Sequence, residues 1–172
     1  SFGVWLEQAL VAARLISGTD ADLHRALVRL PIAIATSLCI VIALPLLRRL
    51  LGPHVAWLAV LLWAGEPFVV AHSQLLHLDA LLTSFMMVSL FALLVAVAQP
   101  ARPYRMLMLS ALFGGLALLT KSPAVFLIPM TGLVLLAASW RQGLRSIAGL
   151  SRAVAPRMLL WLLLAIGVWI LL

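Results

Sequence analysis

Residues 75–98 read LLHLDALLTSFMMVSLFALLVAVA. From Ala80 to Ala98 no side chain is charged. As a helix the run is long enough to cross a bilayer, which takes about 20 apolar residues. Asp79 stands at its head, and just upstream the chain reads Glu66-Pro67-Phe68-Val69-Val70-Ala71-His72-Ser73-Gln74. Two carboxylates (Glu66, Asp79) and two histidines (His72, His77) therefore gather beside an apolar span. Ionisable groups in such a position are costly and are read first as functional.

Outward from this stretch the chain stays apolar. It is 65% hydrophobic and 10% charged, with mean hydropathy +1.19, which excludes a soluble globular domain. The fold class read from this is all-α, a polytopic transmembrane helical bundle. Spans are expected near 30–47, 55–71, 75–98, 106–120, 123–138 and 158–172. Glu66-Pro67 interrupts the second span. Thr120-Lys121-Ser122-Pro123 divides the apolar run from Met106 to Ala138 into a hairpin, because Pro123 cannot continue a helix through Lys121. Residues 1–29 are expected to form amphipathic helices in the extracytoplasmic interface. Within them Thr19 is placed as the N-cap of a helix carrying His24, Arg25 and Arg29. Residues 30–172 form the transmembrane region. Ser1 is not an initiator Met, no signal peptide opens the chain, and Met158–Leu172 is about five residues short of a span. The sequence reads as an internal piece of a larger protein, truncated at both ends.

The net charge of +7 does not indicate nucleic acid, since no Lys/Arg cluster is interleaved with aromatics. The arginines instead fall in alternate loops: Arg48 and Arg49, Arg102 and Arg105, then Arg141, Arg145, Arg152 and Arg157. The positive-inside rule places these loops in the cytoplasm. Every acid (Glu7, Asp20, Asp22, Glu66, Asp79) then lies on the opposite side with His24, His72, His77 and Lys121. Cys39 is the one cysteine, so no disulfide, thiol pair or metal cluster arises from it. No His/Cys/Glu spacing matches a metal site and no cofactor motif occurs. Trp57, Trp63, Trp140, Trp161 and Trp169 are assigned to interface belts or lipid-facing positions.

Asp79 is the catalytic candidate. At a helix head a carboxylate can simply favour the N-terminal dipole, but Ser73 or Gln74 would serve as a cap, so a site role is preferred. In a helix His72 and Asp79, two turns apart, would share a face, while His77 would point elsewhere. Lys121 is the chain's lone lysine. It suits a phosphate or carboxylate as a compact point charge, or snorkels to the headgroups. Glu66 is structural, paired to an arginine of the outer face, or lines a polar cavity. Arg25 and Arg29, one helical turn apart, hold an anionic headgroup specifically or rest among headgroups in general.

Several runs resemble membrane glycosyltransferases related to dolichyl-phosphate-mannose protein mannosyltransferases and aminoarabinose transferases. They are Arg29-Leu30-Pro31, Leu47-Arg48-Arg49-Leu50-Leu51-Gly52, Ala71-His72-Ser73 through His77-Leu78-Asp79-Ala80 to Phe85, and Gly114-Gly115-Leu116 through Thr120-Lys121-Ser122-Pro123-Ala124. The similarity covers roughly residues 25–135. It implies a GT-C fold and inverting transfer of a sugar from a polyprenyl-phosphate-linked donor to an acceptor protein, lipid or glycan on the extracytoplasmic face. The enzyme would be integral to a bacterial inner or plasma membrane, with the lipid bilayer as its other partner. The resemblance also implies that the principal catalytic acid lies in a loop ahead of residue 1. Asp79 then supports the active-site geometry and Lys121 contacts the donor phosphate, with His72, His77, Glu66, Arg25 and Arg29 as further substrate-binding candidates. A transporter or flippase for an anionic lipid or solute is the rival reading, disfavoured because the polar groups gather at one membrane face and no repeat is visible.

Overall fold

The computed structural model describes residues 21–66, 78–99, 103–144 and 146–171, with the backbone alone in residues 21–28. The expected interfacial helix and N-cap in residues 1–20, and His72 and His77, lie outside the described residues, as do the side chains of His24 and Arg25. Six α-helices occupy the described residues: α1 (Ala21–Leu51), α2 (Pro53–Ala64), α3 (Asp79–Ala98), α4 (Pro103–Thr120), α5 (Leu127–Arg141) and α6 (Ile147–Leu171). A 3₁₀ turn, Ser122–Phe126, joins α4 to α5. No strand occurs among the described residues. The chain is an all-α polytopic bundle, with five segments among the described residues long and apolar enough to cross a membrane.

Side-chain spacing decides which face of each helix is covered. On α1, Thr36, Cys39, Ala43, Leu46 and Leu47 are buried, while Ile34, Leu38 and Val41 are exposed. The three- and four-residue steps put each set on its own face. In a bilayer the exposed apolar face meets lipid. Thr36 lies within this helix and returns its hydroxyl to the Ile32 carbonyl at 2.8 Å, which removes the cost of an unpaired polar group. Pro31 and Pro45 both lie inside α1, so the helix passes without a break through the boundary drawn at residue 30.

The centre of the bundle is the α3–α4 pair. The other face of α3 carries α1, α4 packs on α6, α2 lies along α1, and α5 rests on α6 and α3. The interfaces are built from small residues: Ala43, Ala56, Ala92, Ala111, Ala117 and Ala165 are all fully buried. Without a hydrophobic drive between helices in lipid, close backbone approach and interhelical hydrogen bonds hold such contacts. Gly114 and Gly115 bring α4 onto α6, for a Cβ at Gly114 would stand 2.5 Å from Trp161 Cζ2 and one at Gly115 2.6 Å from the Ala165 carbonyl oxygen. At this interface the indole N–H of Trp161 donates to Ser110 Oγ at 3.0 Å, and Ser89 Oγ donates to the Ser110 carbonyl at 2.8 Å.

This corrects the lipid-facing assignment of Trp161, which is 0% exposed. Its ring fills the space left by Gly114, and its polar edge has a partner inside the bundle. Trp57, Trp140 and Trp169 remain about half exposed, and Trp63 packs edge-on against Phe91.

Two elements differ in length from the expected spans. α6 begins at Ile147 rather than Met158 and carries Pro156 inside it. Residues 147–155, IAGLSRAVA, keep a helical register that the arginine and the proline obscured. α2 ends at Ala64, and Gly65 closes it by donating to the Leu61 carbonyl at 2.9 Å. Twelve residues rise only about 18 Å. The rest of the stretch expected at 55–71 continues beyond Glu66, outside the described residues.

Candidate functional site

The helix ends sort the charges. Gln99 Nε2 donates to the Arg49 carbonyl at 3.4 Å, and Arg49 Nη1 reaches Met106 Sδ at 4.0 Å. The ends of α1 and α3 and the start of α4 therefore meet. Arg48, Arg49, Arg105 and Arg141 belong to this end, where Arg141 lines a groove with Leu51 and Ala98. The opposite end holds Asp79 and Lys121.

Asp79 is in the first turn of α3. Lys121 follows the last residue of α4, on extended backbone at φ −160°, ψ 152°. The sequence dictates this break. Pro123 in a continued helix would press on the Leu119 carbonyl and leave it without a donor. Instead Lys121 N–H donates to the Ala117 carbonyl at 3.3 Å, and the Lys121 carbonyl accepts from Ala124 N–H at 3.1 Å. The chain turns there, and the lysine side chain projects across to α3.

Lys121 Nζ lies 2.5 Å from Asp79 Oδ1, closing a gap of 42 residues in sequence. The two side chains are 42% and 39% exposed. Ion pairs this open contribute about 0–1 kcal/mol to stability. The segments that carry the pair, α3 and the α4–α5 turn, share a buried cluster that includes Leu82, Ala117, Ala124 and Leu127.

Arg29 belongs to the same end. α1 and α3 run in the same direction and meet at Arg49 and Gln99. Arg29 and Asp79 each lie twenty residues back from that contact, at about the same level, some 30 Å away at the helical rise. Arg29 Nε is buried and has no hydrogen-bond partner among the described residues. Glu66 stands apart. Trp63, one turn before it, touches Phe91, which is twelve residues, or about 18 Å, along α3 from Asp79. The structure thus brings Asp79 and Lys121 together, sets Arg29 level with them and leaves Glu66 deeper. Among the described residues no three His, Cys, Asp or Glu side chains come close enough to share a metal ion.

An apolar groove starts about two helical turns along α3 from Asp79. Met86 and Leu90 of α3, with Phe126, Leu127, Met130 and Leu133, line about 330 Å³ between α3 and α5. Phe126, five residues after Lys121, is 71% exposed at its upper edge. The sequence marked Pro123 as a helix break. It did not show that α5 leans on α3 and α6, which sets the walls of the groove.

A family model described as dolichyl-phosphate-mannose-protein mannosyltransferase matches residues 21–171. The chain belongs to that family. It is accordingly an integral membrane protein of a mannosyltransferase-type glycosyltransferase family, as the ordered resemblance from Arg29 to Ala124 implied. Comparison with curated proteins and with solved structures returned no match.

Proposed function

We propose that this family member moves a sugar from a polyprenyl-phosphate-linked donor to an acceptor hydroxyl on the extracytoplasmic face, with Asp79 and Lys121 in the active site. The observation that carries the proposal is the Asp79–Lys121 pair, with the α3–α5 groove about two helical turns further along α3. A lipid-linked sugar phosphate needs a cation beside an apolar channel, and this end of the bundle supplies both. The arginine end is assigned to the cytoplasm by the positive-inside rule, which puts the pair on the outer face.

In an inverting transfer the acceptor oxygen attacks the anomeric carbon from the side opposite the phosphate. The carbon–oxygen bond to phosphate breaks, its electron pair leaves with the phosphate, and the acceptor proton passes to a base. Lys121 stabilises the charge growing on the departing phosphate, where a fixed cation acts most strongly in the transition state. Arg29, at the same level, adds a second positive group for the donor headgroup. Asp79 holds Lys121 in place and orients the acceptor hydroxyl. A carboxylate at that point also suits proton acceptance.

In the intact enzyme, Asp79→Asn and Lys121→Ala should each lower sugar transfer at least about tenfold, a modest loss for a group that stabilises transition-state charge. Folded protein should be recovered in normal yield. The exchange Asp79→Lys with Lys121→Asp keeps an ion pair but reverses it, and transfer should stay low. Recovery of transfer in the exchanged protein would make the pair a structural clasp. Wild-type rates in both single variants would remove it from the site altogether.

A further inference from the structure

The arginine end carries a larger groove, about 700 Å³, between α1, α3 and α5. Leu47, Phe91, Leu94 and Val134 are among its apolar walls, and its charged and amide groups, Arg141 and Gln142, stand at the end of α5. On the other flank of α5 an open apolar hollow of about 370 Å³ is lined by α5 side chains alone, among them Leu133, Leu136 and Trp140. Arg141 and Ala137 line both. An exposed guanidinium therefore stands between an apolar groove and an apolar hollow on the flank of its own helix.

Among the described residues no acid pairs with Arg141. Arg48 lies over the Trp57 ring, 5.7 Å from its centroid, and Arg49 reaches toward Met106 on α4. Glu66 and Asp79, the acids whose side chains are described, lie toward the other end. We propose that this site binds an anionic phospholipid of the adjoining leaflet, its phosphate on Arg141, one acyl chain in the groove and the other along the hollow. A headgroup with two tails matches a cation with an apolar groove on one side and an apolar helix flank on the other. A zwitterionic lipid brings its own cation to the same place and gains less. The site lies at the opposite end of the bundle from Asp79 and Lys121, so it stands or falls independently of the transfer chemistry.

The test uses the intact protein in detergent, equilibrated with equal amounts of dioleoyl phosphatidylglycerol and dioleoyl phosphatidylcholine, with the co-purifying lipid counted by mass spectrometry. Phosphatidylglycerol should be retained about fivefold over phosphatidylcholine, the ratio expected from one arginine near an anionic headgroup. Arg141→Gln should abolish the preference and Arg141→Lys should keep most of it. Arg152→Gln, a change at the same end but outside the groove and the hollow, should leave it intact. Leu94→Trp, which narrows the larger groove, should reduce retention of the two-chain lipid more than of its single-chain lyso form. Equal retention of both lipids by the wild type, a preference that survives Arg141→Gln, or no effect of Leu94→Trp would each overturn the proposal.

Discussion

A methyl group added at Gly115 meets a backbone carbonyl oxygen at 2.6 Å, whereas one at Gly114 meets the edge of the Trp161 ring at 2.5 Å. A ring can tilt more readily than a helix backbone can retreat. Gly114→Ala should therefore cost about 1–3 kcal/mol, as overpacking usually does, and Gly115→Ala more, measured by denaturant or thermal unfolding of the detergent-solubilised protein. Ser110→Ala removes the acceptor of the Trp161 indole N–H and should cost roughly 1 kcal/mol, within the range of interhelical hydrogen bonds in membranes. Adding Trp161→Phe, which deletes the stranded donor, should make the double variant less unstable than the two single effects summed. These contacts were not legible in the sequence. Trp161 sits in an apolar run like any lipid-facing tryptophan, and its partner lies 51 residues away. Asp79 and Lys121 stood out as candidates because a charge in an apolar run has few structural excuses. That they touch was not legible, since no local spacing links them.

Among the elements, the break at Thr120-Lys121-Ser122-Pro123 was readable from proline chemistry alone, and α4 ends at Thr120 as that chemistry requires. Where α5 goes afterwards depends on packing. Rather than lying along α4 as the second arm of a tight hairpin, α5 makes its main contacts with α6 and α3. Ala96 and Leu135 line a void of only about 10 Å³, so Ala96→Cys paired with Leu135→Cys, in a Cys39→Ser background, should form a disulfide under mild oxidation. Leu112→Cys paired with Leu133→Cys should not, because Leu112 faces Leu164 and Val168 on α6. Crosslinking of the second pair alone would return α5 to the side of α4. The start of α6 was hidden for a different reason. Arg152 and Pro156 lower the apparent apolarity of its first turns, yet neither stops a helix whose early residues remain near a membrane surface.

At the scale of the whole molecule, hydropathy and the parity of the arginines carried the fold class, because a bilayer permits few ways to satisfy a backbone. Orientation is open to direct measurement. A cysteine placed at Ser122 should react with an impermeant thiol reagent added outside intact cells, and one at Gln142 only after the membrane is opened, both with Cys39→Ser. The reverse pattern would invert the protein and move the Asp79–Lys121 site to the cytoplasmic face. The two ends are also mechanically joined. Gly115 is six residues, about 9 Å of helix rise, before Lys121, and it meets α6 with no side chain between the backbones. Such a joint has no slack, since close-packed interiors pass strain on rather than absorb it. Any force that slides α6 along its axis, whether from lipid thickness or from segments joined to it, drags the α4 end with it and shifts the lysine against its carboxylate.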